Sequence, residues 1–234
     1  FGAAEHGAAS DEDTVIRAEP WDLKRKLLEE KAALGFSLSG HLFTVYEKDL
    51  AGFPRRPLAA LGPAEHRVWL AGIVAEARIQ MTRRGRMLVI TLDDATAQVE
   101  ISAYAELLEK CRDRVKEDSL LVVLGKALRD EFSGGLRVIA EDLLDLAALR
   151  SRYATELRLD MNGQADAKRL MAMLTPYRTG QCQVLVHYEN GAASCDVRLG
   201  DGWRVSPDER LLGELAAWLA AENVRLVYSG STGP

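Results

Sequence analysis

Between Arg67 and Leu146 apolar residues recur at every second position in short runs separated by turn-formers. This alternation constrains the fold more than any other feature, because only a strand puts successive side chains on opposite faces. Val68, Leu70, Gly72, Val74 and Ala77 to Ile79 predict a long first strand, followed by a turn from Met81 to Arg86 around Gly85. Met87 to Leu92 predicts a second strand, Asp93 to Thr96 a turn, and Gln98 to Ala103 a third strand. From Tyr104 to Val115 the spacing of Leu107, Leu108, Cys111 and Val115 becomes helical. Leu120 to Leu128 and Leu136 to Ala140 return to strand character on either side of Ser133-Gly134-Gly135.

The order β-β-β-α-β-β is that of an OB barrel, in which a helix stands between the third and fourth strands. We assign it to residues 64–150. Upstream, residues 1–22 hold six acids (Glu5, Asp11, Glu12, Asp13, Glu19, Asp22) against Arg17 alone, so residues 1–19 read as an acidic, disordered tether. Residues 20–63 predict a helical segment and linker. Pro20 suits a helix start, Leu23, Leu27, Leu28 and Leu34 share a face, Gly35 is a stop, a short helical unit runs on to Tyr46, and Pro54, Pro57 and Pro63 punctuate the chain. Residues 151–234 read strand (156–161), helix (165–174), two strands (182–188, 194–199), helix (207–221) and strand (224–228), a small α+β domain. Ser206 is the expected N-cap of the last helix, with Pro207 at its first position and Glu209 completing a capping box. The predicted fold class is therefore mixed: a short helical segment, an all-β OB barrel with one helix, then a small α+β C-terminal domain.

Composition narrows the chemistry. With 234 residues, 47% hydrophobic, 28% charged and a net charge of −5, the chain can bury a substantial core, and wholesale disorder is excluded. No apolar run approaches the roughly 20 residues that span a bilayer. The chain opens on Phe1 with no basic stretch leading into an apolar one, which predicts a fragment without a secretory signal. Cys111, Cys182 and Cys195 match neither a zinc site nor a disulfide framework, so a reducing cytoplasmic location is expected. His6, His41, His66 and His187 lie apart, and none stands at metal-ligand spacing from another His or a Cys. Asp93-Asp94 looks like a carboxylate pair for magnesium, but adjacent strand residues point to opposite faces, and turn chemistry is the better reading. With no phosphate-binding glycine loop and no nucleophile elbow, neither a catalytic residue nor a bound metal or cofactor is expected in this chain.

The basic residues carry more information. Arg78, Arg83, Arg84 and Arg86 fall in a stretch, Ala77 to Leu92, that contains no acid. In an OB barrel the first hairpin loop and the loop joining the last two strands flank the binding face, and Phe132 falls in the second of these. Arginines neutralise phosphates while an aromatic ring stacks on a base, so Arg78, Arg83, Arg84, Arg86 and Phe132 are the candidate nucleic-acid contacts. A solvated arginine-rich hairpin tip, with Phe132 capping the barrel, is the alternative and stays open. Trp203 and Trp218 are candidate partner anchors, although Trp218 shares a helical stripe with Leu211 and Leu215 that suits core packing.

Glu30-Lys31-Ala32-Ala33-Leu34-Gly35-Phe36-Ser37-Leu38-Ser39-Gly40-His41 closely resembles the segment that precedes the OB domain in the α subunits of bacterial DNA polymerase III, the C-family replicative polymerases. Val74 to Arg86 with Thr91-Leu92-Asp93-Asp94, then Phe132 to Leu136, then Trp203 to Pro207 with Arg210-Leu211-Leu212, resemble successive landmarks of the same C-terminal region. Ser37 and Leu42 depart from the family's usual aromatic and proline. The resemblance implies an OB domain held near single-stranded template DNA and a terminal domain that binds the τ subunit of the clamp loader, through Trp203 and the chain end at Val224, Leu226 and Tyr228. It also implies that the parent enzyme joins deoxynucleotides using magnesium ions held by aspartates upstream of this fragment. Phe1-Gly2 resembles the end of the family's motif for the β sliding clamp, most of which would lie before Phe1. A stand-alone OB-fold single-strand binder, a structural adaptor and an OB module of a tRNA-handling enzyme are the competing readings. They leave unexplained, respectively, the terminal α+β domain, the arginine hairpin and the Leu34 to His41 segment.

Overall fold

A computed structural model describes residues 20–64, 66–83, 85–129, 135–161, 163 and 166–229. The acidic segment 1–19 with Phe1, as well as Arg84 and Phe132, lies outside the described residues. Helix α1 (Leu23–Leu34) begins at Asp22, whose carboxylate accepts the Arg25 N–H, and ends at Gly35 with φ of 84°, a left-handed value that glycine adopts without strain. The predicted apolar face of α1 is only partly used: Leu27 is fully buried, whereas Leu23 and Leu34 are 48% and 54% exposed. After α1 the Glu30 carboxylate takes the N–H groups of Leu38 and Ser39 and the Ser39 hydroxyl, folding the chain back. A 3-10 turn, Leu42–Tyr46, then buries Leu42, Phe43 and Tyr46.

The barrel is built from β1 (Val68–Thr82), β2 (Gly85–Asp93), β3 (Gln98–Tyr104), β4 (Leu120–Arg129) and β5 (Leu136–Leu144), closed in the order β1-β2-β3-β5-β4. Helix α2 (Ala105–Cys111) stands between β3 and β4. Consecutive strands β1-β2, β2-β3 and β4-β5 pair antiparallel, β4 returns antiparallel to β1, and the parallel pairing of β3 with β5 closes the ring, which leaves no free edge. A bulge between Val74 and Glu76 reverses the alternation of β1. Before it, Leu70 and Val74 fill the barrel while Trp69, Ala71 and Ile73 pack outside; beyond it, Glu76 and Arg78 turn outward. The proline-rich stretch before β1 is more than punctuation, because Leu58 and Leu61 join the barrel core and the Leu58 N–H is taken by Asp94 at 2.9 Å.

The rest is helix α3 (Leu146–Tyr153), β6 (Ala154–Asp160), α4 (Ala167–Leu174), β7 (Gln183–Asn190), β8 (Ala193–Arg198), α5 (Glu209–Leu219) and β9 (Val224–Tyr228). Its sheet runs β8-β7-β6-β9, with β6 and β7 parallel and joined through α4. Leu157, Leu159, Val184 and Val186 face the core with Leu170, Leu174, Leu211 and Leu215 of the helices. The cap of α5 is Asp208, which accepts the Leu211 N–H at 2.8 Å, and not Ser206. The Ser206 N–H is held by the Tyr177 carbonyl and Val205 bridges Cys182, so this stretch stays extended and the capping box does not form. One continuous core unites α1, the outside of β1 and β4, and the terminal sheet. At its centre Phe53, Trp69, Tyr153 and Tyr228 pack edge to face, with centroids 5.2–6.4 Å apart.

Candidate nucleic-acid interface

The register of the barrel places the candidate arginines. Thr82 pairs with Gly85, so Arg83 occupies a two-residue hairpin turn, and Gly85 takes φ of 105° there. Arg83 and Arg86 are exposed. Arg78 pairs with Val89 and Met81 with Arg86, an odd offset that puts Arg78 and Arg86 on opposite faces of the ribbon. Arg86 lies against Ile79, Ala105, Leu108 and Glu109 on the side of α2. Arg78 is on the outer face of the sheet, but strand β3 brings Glu100 to it at 2.9 Å, and Glu76 lies at 3.6 Å. The hydrogen bond that Arg78 donates to Glu100 raises the guanidinium pKa above its ordinary value. A stretch free of acids in sequence is therefore not free of them in space, and Arg78 and Arg86 do not share one patch.

The outer face instead gathers residues from all five strands. Across one row stand Glu76, Thr91, Glu100, Arg137 and Leu128; across the next, Arg78, Val89, Ser102, Ile139 and Lys126; beyond them come Gln80, Met87 and Tyr104. Arg137 lies over this surface, donating from Nε to Ser102 Oγ at 2.9 Å and reaching Met87 Sδ at 3.3 Å with a terminal nitrogen. Among the described residues no carboxylate forms an ion pair with it. Tyr104 is half-buried at the end of the same face and borders an open cleft of about 880 Å³ that also holds Lys110 and Arg152. Arg137 and Tyr104 are the functional candidates that the sequence reading missed. The available signal was alternation: both stand at outward positions of barrel strands.

Asp93 and Asp94 serve the turn, as their sequence predicts. Asp93 takes the Ala95 N–H and lies 3.1 Å from His41 Nε2. Asp94, 3% exposed, takes the N–H groups of Leu58, Thr96 and Ala97 and the Thr96 hydroxyl. Burial works to raise its pKa, but these hydrogen bonds outweigh it and hold the carboxyl below the usual carboxylate range. Among the described residues no three His, Cys, Asp or Glu side chains converge as a metal site, and no helix is long and apolar enough to cross a membrane.

Of the expected partner residues, Val224, Leu226 and Tyr228 share β9, Trp203 stands apart from them, and Phe1 lies outside the described residues. Trp203 sits by β7 with the Arg178 guanidinium 4.3 Å from its ring centre, two strands away from β9. Val224 and Leu226 lie half-buried on β9. Tyr228 is 3% exposed and donates its hydroxyl to the Asp49 carbonyl at 2.8 Å, and burial pushes its phenol up to about 12. Its ring is an internal joint between the terminal sheet and the helical segment, so it offers no surface to a partner.

Comparison with known proteins fits this architecture. Residues 68–146 match the family described as an OB-fold nucleic acid binding domain, and residues 169–219 the C-terminal domain of DNA polymerase III subunit alpha. The chain is 34% identical over 217 residues to the DNA polymerase III subunit alpha of Neisseria meningitidis, covering 91% of this chain and 19% of that protein. It is 31% identical over 236 residues to that of Escherichia coli, covering 97% of this chain and 20% of the relative. The second OB-fold domain of replication protein A from Methanococcus maripaludis is 16% identical, with a TM-score of 0.32, over 39% of this chain and 93% of that one. The chain thus spans about one fifth of the length of the curated relatives it matches. With both domain families in sequence and the similarity extending through the helical segment before them, the chain is similar along nearly its whole length to the C-terminal region of DNA polymerase III α subunits.

Proposed function

We propose that the barrel holds single-stranded template DNA on its outer face for a replicative, cytoplasmic DNA polymerase. In this reading the terminal domain binds the τ subunit of the clamp loader. Template-directed synthesis, the magnesium ions it needs and the β clamp motif would belong to the part of the polypeptide outside this chain. The observation that carries the DNA reading is Arg137, which among the described residues has no carboxylate partner and is laid across an apolar strip that ends at Tyr104. A guanidinium there can meet a phosphate or stack on a base, and the tyrosine ring offers a second platform.

Fluorescence anisotropy with an oligothymidylate tests it. Arg137→Ala and Tyr104→Ala are expected to weaken binding, the latter by about 1–3 kcal/mol if a base stacks on the ring. Arg137→Ala should also reduce the salt slope by about 0.7 for one lost phosphate contact. Arg78→Ala should matter less, since Glu100 already neutralises that cation. Unchanged affinity and slope in both the Arg137 and Tyr104 variants would remove this face as the DNA site.

A further inference from the structure

The terminal sheet has two edges of different character. Strand β8 carries Ser194, Asp196 and Arg198 and is exposed throughout, the charged kind of edge that resists pairing with other chains. Strand β9 carries Val224, Leu226 and Val227 and borders a groove of about 600 Å³. Val45 and Gly52 form the facing wall of this groove, with Leu212 and Ala216 of α5 and Ala221 on the helix side. Its charges are largely spoken for within the chain: Asp49 by Arg150, Arg158 by Glu156 and Arg225 by Asp160. Among the described residues only Lys48 and Glu222, of opposite sign, are left without an ion pair there, so the groove has no field that would draw a polyanion.

Its polar content is the backbone. Ser229 donates its N–H to the Tyr153 carbonyl, and the Val227 carbonyl accepts the Thr155 hydroxyl, so position 227 turns its peptide groups toward β6. By the alternation of an antiparallel ladder, Val224 and Leu226 turn theirs to the groove, where no backbone partner meets them among the described residues. Strand-edge N–H and C=O groups beside apolar walls are matched by another extended main chain, whose alternate side chains fill the hollow.

We propose that this groove takes an extended segment of a partner polypeptide, apolar at every second residue, as a fifth strand beside β9. The inference rests on the reading of the terminal domain as the τ-binding module, and it gives that site a location and a binding mode. The test uses this 234-residue chain with the C-terminal region of the cognate τ subunit as probe. Ala216→Arg and Ala51→Arg fill the groove from opposite walls at positions outside the buried core. Each is expected to weaken τ binding about tenfold or more, while thermal unfolding and oligonucleotide binding stay as in the parent chain. Hydrogen exchange in the complex should slow at the amides of Val224 and Leu226. If τ binds but both variants bind equally well and those amides exchange as before, the groove proposal falls while the τ assignment stands. If τ does not bind even the parent chain, both fall together.

Discussion

Asp94 accepts four hydrogen bonds at 3% exposure, and one of them ties the turn after β2 to the Leu58 plug of the barrel. Asp94→Ala leaves several N–H groups without a partner, and the expected cost is about 3 kcal/mol, read as a fall in the urea midpoint. The acid dependence has a definite sign. Because the folded pKa lies below the ordinary 3.8, this contribution is complete above that value and is lost as pH falls through the folded pKa. Asp94→Asn should therefore flatten the loss of stability on acidification below about pH 4. An unaltered acid profile would place the titrating groups elsewhere. Arg137 makes the complementary point: the proposal for it turns on the lack of an acid partner among the described residues, and that is a property of the neighbouring strands.

At the scale of the elements, closure of the barrel depends on places where strands approach without a side chain between them. A Cβ at position 125 would stand 2.5 Å from the Ile139 carbonyl oxygen, and one at position 72 would stand 2.8 Å from that of Asp93. Both obstacles are backbone, which cannot swing aside. Gly125→Ala is thus expected to destabilise the chain by about 1–3 kcal/mol and to loosen the β4-β5 pairing, whereas Gly191→Ala, with open space around its Cβ, should change little. Differential scanning fluorimetry of the two variants checks the contrast; equal melting shifts would show that the barrel relaxes around the added methyl. The bulge in β1 shapes the outer face by a similar route, because without it Glu76 and Arg78 would turn into the barrel.

Over the whole molecule the helical segment, the barrel exterior and the terminal sheet share one apolar core, so they should unfold together. Phe53 contacts the rings of Trp69, Tyr153 and Tyr228, one from β1, one from α3 and one from β9. Phe53→Ala is expected to cost about 3–5 kcal/mol and to lower the single calorimetric transition as a whole. Two separated transitions, with only one affected, would mean that barrel and terminal domain fold independently. The same packing shows why truncating the chain after Asn223 is a poor probe of partner binding. It removes β9 from the sheet and Tyr228 from its bond to Asp49, so a folding defect would mimic a lost interface. Point changes in the groove avoid that confusion.

The order of strands and helices was legible in the sequence because periodicity is local: a two-residue repeat from Val68 and a helical stripe through Leu211 and Leu215 report their own environments. The OB class followed from that order, and the Asp93-Asp94 turn from adjacent carboxylates at a strand end. The α5 cap was misplaced because Ser206 and Asp208 are both good caps, and the choice was made by Val205 bridging Cys182 two elements away. The candidate site was least legible. Proximity in sequence grouped Arg78 with Arg86, yet Arg86 pairs with Met81, three positions along β1 from Arg78, so pleating puts the two on opposite faces, and cross-strand pairing delivered Glu100 to one of them. Arg137 and Tyr104, 33 positions apart, share a face because β3 and β5 pair in parallel to close the barrel. The β9 groove lies between segments that only the tertiary fold makes neighbours. The sequence by itself determined most of the strands and helices, with α3 (Leu146–Tyr153) the helix it did not show. Register, closure and docking, each a contact between distant residues, decided which charges stand unpaired and where a partner can lie.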